Sequence, residues 1–260
     1  MLNRLLTAAA VLATLASSPS PAQILRDLEP IELEYEIYIP GEPEPAGTAS
    51  ASFRPADTRR GRRLEVTVRT DFKVGDPETA VEYHETVSLT CNEHGVEKFD
   101  ALRRFGDNEE KYLGIKTAED YAVTATVNGE ATQKTETGEV LRSNFGLFCG
   151  GFLETPMDEG GIIVDYPLLF PAQGRHFPRQ KVRVGWINVG NADPPIDVIH
   201  SRLRKLDGNK DELWHLDDDH QALVRMVETG DIATLVYSLV ALNGEDVSGW
   251  SRAIADAFPQ

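Results

Sequence analysis

Between Leu64 and Lys73 apolar and polar residues alternate without a break. Leu64, Val66, Val68, Thr70 and Phe72 interleave with Glu65, Thr67, Arg69, Asp71 and Lys73. Successive side chains of an extended chain point to opposite faces, so the pattern gives one apolar and one charged row, as in a half-buried antiparallel strand. Similar runs recur at 32–39, 47–54, 80–92, 96–105, 110–117, 120–127 and 130–136, and again at 181–188, 196–206, 211–217, 221–228 and 231–242. Arg60-Gly61, Glu93-His94-Gly95, Asn128-Gly129, Asp207-Gly208-Asn209 and Thr229-Gly230-Asp231 separate neighbouring runs. Gly and Asn tolerate the positive φ that tight hairpins need, so the chain is expected to run as an antiparallel meander.

Pro40-Gly41-Glu42-Pro43-Glu44-Pro45 reads as a stiff acidic turn between the first two strands. Only the tail carries a helical period, with Trp250, Ile254, Ala257 and Phe258 on one face and Asp246 or Ser248 near its start; its expected place is over one end of the sheet. No repeat, low-complexity tract or long linker divides the chain. The expectation is one all-β domain over 23–260, a single curved antiparallel meander sheet forming a half-barrel or barrel, with a short C-terminal helix.

Residues 1–22 read as a cleaved signal peptide, with Arg4 before an apolar stretch from Leu5 to Ala16 and a small-x-small pattern ending at Ala22. That stretch is shorter than the roughly 20 residues of a membrane-crossing helix. No Cys follows it for lipid attachment, so the expected location is the periplasm, or alternatively outside the cell. The chain ends Phe258-Pro259-Gln260 after a helix and its aromatics are scattered, which argues against an outer-membrane barrel. With 26 Lys and Arg against 42 Asp and Glu the formal charge is −16, which disfavours nucleic acid as a partner. The one basic cluster, Arg59, Arg60, Arg62 and Arg63 around Gly61, reads as a solvated hairpin turn. Cys91 and Cys149 are the two cysteines of an expected exported chain, and a disulfide between them is the economical reading.

Segment 143–178 breaks the alternation. Phe145, Phe148, Phe152, Met157 and Phe170 are interleaved with Gly150-Gly151, Gly160-Gly161 and the prolines Pro156, Pro167, Pro171 and Pro178, which argue against a central strand. It is expected to cover the open end of the sheet, as ordinary core or as the lip of an apolar cavity. Trp186 and Trp214, each within a strand, join those five aromatic and Met side chains as candidate ligand-binding walls or plain core.

Catalytic patterns are lacking. His84-Glu85 starts like a zinc-protease helix, but Ser88 stands where the second His belongs and the run is a strand. His215, Asp217, Asp218, Asp219 and His220 are dense in ligand-type groups, yet Asp between two strands is favoured by turn geometry. There is no Gly-x-Ser-x-Gly elbow, phosphate loop or dinucleotide fingerprint. No cofactor is expected.

Glu212-Leu213-Trp214-His215-Leu216-Asp217, then Gln221 to Val227, then Ile232 to Leu239 form a strand with Trp, an acidic turn and a strand leading into a last hairpin. This layout resembles exported bacterial families catalogued as domains of unknown function. The resemblance implies a strongly curved antiparallel sheet, similar to the half-barrel of periplasmic lipoprotein carriers, with no catalytic residues to transfer. The functional expectation is a non-catalytic carrier holding a hydrophobic, lipid-like ligand on its concave face. Its rivals are a cell-envelope interaction module with a filled core, docking an envelope protein, and a metal-dependent hydrolase built on His215, Asp217 and His220.

Overall fold

The first strand of the chain lies in the middle of the sheet. The computed structural model describes residues 29–258 apart from 60, 76–77, 93–94, 119, 138–141, 144–147, 149–163, 219 and 231–232. An N-terminal meander comprises β1 (Ile31–Tyr38), β2 (Gly47–Thr58), β3 (Gly61–Val74), β4 (Val81–Asn92), β5 (Gly95–Phe105), β6 (Asn108–Lys116), β7 (Asp120–Val127) and β8 (Glu130–Thr137). A second run comprises β9 (Arg142–Ser143), β10 (Val164–Phe170), β11 (Arg175–Val189), β12 (Ile196–Arg204), β13 (Lys210–Leu216), β14 (Leu223–Thr229), β15 (Thr234–Leu242) and β16 (Glu245–Asp246). Neighbours follow chain order, except that β1 lies between β2 and β15 and so joins the two runs into one sheet. The ends of that order are β8 and β9, so the sheet is curled and not closed.

Alternation carries through to burial. Ile31, Leu33, Tyr35 and Ile37 of β1 are buried while Glu32 and Glu34 are exposed, and Leu64, Val66 and Val68 of β3 repeat the pattern. These inward rows continue through Ala49, Ala51 and Phe53 of β2, Val87 and Leu89 of β4 and Phe99 of β5 into one core. Two large inward side chains keep their polar ends satisfied by backbone: Tyr35 donates to the Leu223 carbonyl at 2.9 Å, and Tyr121 donates to the carbonyl of Val96. A buried phenol without such a partner costs free energy, and each bond here ties strands two apart in the sheet, β1 to β14 and β7 to β5.

At the β7–β8 turn Asn128 and Gly129 both take positive φ, 48° and 91°, as expected of an Asn-Gly hairpin. A Cβ on Gly114, in the interior of β6, would sit 2.0 Å from the ring of Phe99, its partner across β5 and β6. A strand glycine here lets a large ring lie flat on the backbone.

Sequence and structure differ at two places. The proline-rich stretch contains β10, with Pro167 opposite Pro178 of β11. It is tolerated because β10 has a long pairing on one side only; β9 touches it in parallel through two residues. The helix α1 (Ser248–Ala257) forms where expected, and Asp246 Oδ1 accepts the Ser248 N–H at 3.0 Å. It packs on the convex face, against β15, β14 and β11, rather than over an end of the sheet. β12 to β15 accordingly show runs of consecutive buried residues instead of alternating burial.

Gly114→Ala is expected to push Phe99 out of its place and lower stability by about 1–3 kcal/mol; urea unfolding at an unchanged midpoint would show that the ring moves freely.

Candidate functional site

The curl brings β4 and β5 opposite β14 and β15. Glu85 shares the inward face of β4 with Val87 and Leu89, and its register partner on β5 is Arg103. Tyr83 donates to Glu85 Oε2 at 2.5 Å, and Arg103 pairs with Glu110 of β6, which also accepts the Tyr112 hydroxyl at 2.9 Å. On the other wall Glu228 of β14 shares a face with Met226, the partner of Tyr237 on β15. Glu228 lies close to Tyr237 of β15 and to Asp211 of β13. Asp211 pairs with Lys205 at 2.9 Å and accepts the Thr229 N–H at 3.0 Å. Beyond these groups Phe72 stacks on Tyr83 with centroids 4.6 Å apart, and Tyr83 also faces Phe105.

Electrostatics tie the two walls together. Burial pushes the Glu85 carboxyl above the usual range, opposed by the Tyr83 hydroxyl and Arg103. Burial raises Glu228 to about 7, and both Asp211 and Glu85 add repulsion. The Tyr237 and Tyr83 phenols are raised by burial and by the nearby Glu228 and Glu85 carboxyls. Arg103 and Lys205 have carboxylate partners in Glu110 and Asp211. Glu85 instead accepts from a tyrosine, a bond that favours the ionised carboxylate, so burial is what holds its pKa up. Tyr83, Glu85, Arg103 and Glu228 all face inward yet are only half-buried, so this part of the interior meets solvent.

Deeper in, the space is occupied. A 3-10 turn, Pro171–Gln173, ends at Gly174 with φ of 56°, and a Cβ there would lie 2.6 Å from Tyr112 and 3.1 Å from Val123. The tip of the β10–β11 hairpin thus lies against the inner face of β6 and β7. Phe148 is buried between Tyr35 and Tyr237, with centroids 5.3 and 6.1 Å away, and its carbonyl accepts the Leu223 N–H at 2.9 Å.

The sequence-derived candidates therefore do not form one wall. Phe148 is in the concave interior, against Tyr35 and Tyr237. Phe170 is half-buried and meets Phe177 edge-on at 5.1 Å. Trp186 is 55% exposed with the Arg183 guanidinium 4.3 Å above its ring, on the face of β11 shared by the partners Ile199 and Ser201. Trp214 is on the convex side: it stacks on His200 at 4.7 Å and touches Phe258, just past α1. Phe145, Phe152 and Met157 lie outside the described residues. So does Cys149, the expected partner of Cys91; the Cys91 thiol is buried, and burial raises its pKa. In the acidic turn Asp218 Oδ1 accepts the N–H groups of His220 and Gln221 at 3.0 and 2.6 Å, and His215 is buried. Asp219 lies outside the described residues, among which no group of three His, Cys, Asp or Glu side chains could hold a metal ion. No described helix is long and apolar enough to cross a membrane.

Glu85 and Glu228 are what sequence reasoning missed. Each occupies an inward, otherwise apolar parity position of its strand, the one signal that could have singled them out.

No family model and no curated protein matches the chain. Among solved structures it resembles a beta-barrel-like protein of a domain of unknown function, DUF1849, from Brucella abortus. The TM-score is 0.58 at 9% identity, over 84% of this chain and 99% of that one. The likeness concerns the fold: a curled antiparallel sheet.

Glu228 gives the site a pH signature. The folded carboxyl holds its proton to about 7, against 4.5 in the unfolded chain, so stability is full below about 4.5 and is lost as pH rises through about 7. A shift of that size corresponds to about 3 kcal/mol. Glu228→Gln is expected to be more stable than the wild type near pH 8 and about equal to it near pH 4.5; parallel urea-stability profiles for the two proteins would contradict the assignment.

Proposed function

We propose that this chain is a non-catalytic exported binding protein or carrier, working in the periplasm or outside the cell, that holds a hydrophobic, lipid-like molecule on the concave side of its sheet. The observation that carries the reading is an inward-facing, solvent-reachable polar cluster, Tyr83, Glu85, Arg103 and Glu228, set beside an apolar interior. An interior built only for packing has little reason to hold two carboxyls whose pKa burial raises. A guest with an apolar body would bury surface at about 25 cal/mol per Å², while the cluster orients its polar end. The barrel-like neighbour supports the shape and is silent on the guest.

One observation favours the rival reading of an envelope interaction module with a filled core: the turn at 171–174 and Phe148 already occupy part of the hollow. Phe148→Ala separates the two. For a carrier, native mass spectrometry of protein exported by its own cells retains a lipid-like mass, the variant loses that mass, and its stability falls little because the ring is a movable plug. For a filled core, no such mass is retained and the variant loses about 3–5 kcal/mol, the cost of an ordinary core Phe.

Export and disulfide pairing belong to the same proposal. Mature exported protein is expected to start after Ala22 and to bind a thiol reagent at Cys91 and Cys149 only when unfolded and reduced. Labelling of both thiols in unfolded, unreduced protein would remove the disulfide.

A further inference from the structure

Trp214, Arg225, Ser238 and Glu36 form one row across β13, β14, β15 and β1 on the convex face. α1 lies over this face and leaves a groove of about 430 Å³ beside the row, at the small end of the range for small-molecule sites. Its walls include Ile39 and Val236, and its helix side presents Ser251, Arg252 and Ala255.

Two groups in the groove lack what their chemistry demands. Arg225 is half-buried and donates only to Ser238 Oγ, at 3.2 Å, and no carboxylate among the described residues pairs with it. This is unlike Arg63, Arg103, Arg104 and Arg202, each of which has a glutamate. Burial alone pulls its pKa down, with no acid acting on it. In a chain with 42 Asp and Glu residues, a half-buried guanidinium with no acid beside it stands out. Ser251, in the first turns of α1, is 2% exposed, and its hydroxyl has no partner among the described residues. An unmet buried hydroxyl costs free energy until something bonds it.

We propose that this groove binds the carboxylate of a small amphipathic organic acid, with the Arg225 guanidinium and the Ser251 hydroxyl on the head and Ile39, Val236 and Ala255 along the alkyl body. Arg252 adds positive charge at the groove. Glu36 and Glu42 line it too, and Glu36 accepts the Tyr38 hydroxyl. Those two acids select a single planar negative charge that an arginine fork matches and disfavour a dianionic phosphate. The site is separate from the concave interior, because Arg225 and Met226 point to opposite faces of β14.

The test uses the full chain and three probes sharing one alkyl body: octanoate, octanol and octyl phosphate. Octanoate is expected to bind by calorimetry and raise the melting temperature, octanol to do neither, and octyl phosphate to bind more weakly. Arg225→Gln should weaken octanoate about tenfold or more, the scale of one charge-assisted pair. Ser251→Ala should weaken it several-fold while keeping the far-ultraviolet spectrum, and it decides the matter if Arg225→Gln does not fold. Equal binding of octanol and octanoate, or a folded Ser251→Ala variant with unchanged affinity, would overturn the site. Tighter octyl phosphate would overturn the choice of carboxylate. Loss of octanoate binding in Phe148→Ala would move the signal to the concave face and also overturn it, whereas failure of the lipid-like guest alone leaves this groove standing.

Discussion

The pairing of β1 with β15 is the contact on which the rest depends. It joins residues such as Ile37 and Tyr237, distant in sequence, and welds an N-terminal meander to a second one through a strand with neighbours on both sides. A β-bulge between Glu34 and Tyr35 sits within that seam. Bulges increase local twist, so the seam is also a place where the sheet bends. Closing so long a loop costs entropy before any contact rewards it, so this pairing marks a slow, nonlocal step in folding.

From the seam the curl follows, and from the curl the two environments. The concave side gathers inward rows from both meanders, plugged by Phe148 and the turn before Gly174 yet polar and solvent-reachable around Glu85 and Glu228. The convex side is bare over β2 to β5, where charged rows face water, and covered over β11 to β15 by α1. A single sheet thus offers two chemically distinct places, one a concave interior with two carboxyls, one a groove lined by a guanidinium. A carrier reading uses the first; the second can act independently because the sheet backbone separates them.

Strand by strand, much of this was legible. The inward set Leu64, Val66 and Val68 and the Asn128-Gly129 turn stand as the alternation implied. Where local pattern was not enough, a neighbour decided the outcome. Pro167 sits in a strand because that strand lies near the sheet's edge. Trp214 faces away from the hollow because α1 buries the convex face, so a large aromatic in a strand no longer indicates the inside. Glu85 and Glu228 were invisible as a pair because each looks like one of many acids in an acidic chain.

The sequence by itself determined most of the strand segments, where the hairpins between them turn and which side of each N-terminal strand is apolar, because those follow from a period of two and from the φ preferences of Gly and Asn. Only the tertiary structure decided that β1 would lie against β15, which face the helix would cover and which carboxyls would meet across the hollow. Those outcomes turn on contacts between residues far apart along the chain, and alternation specifies a face for each residue without specifying what lies opposite it.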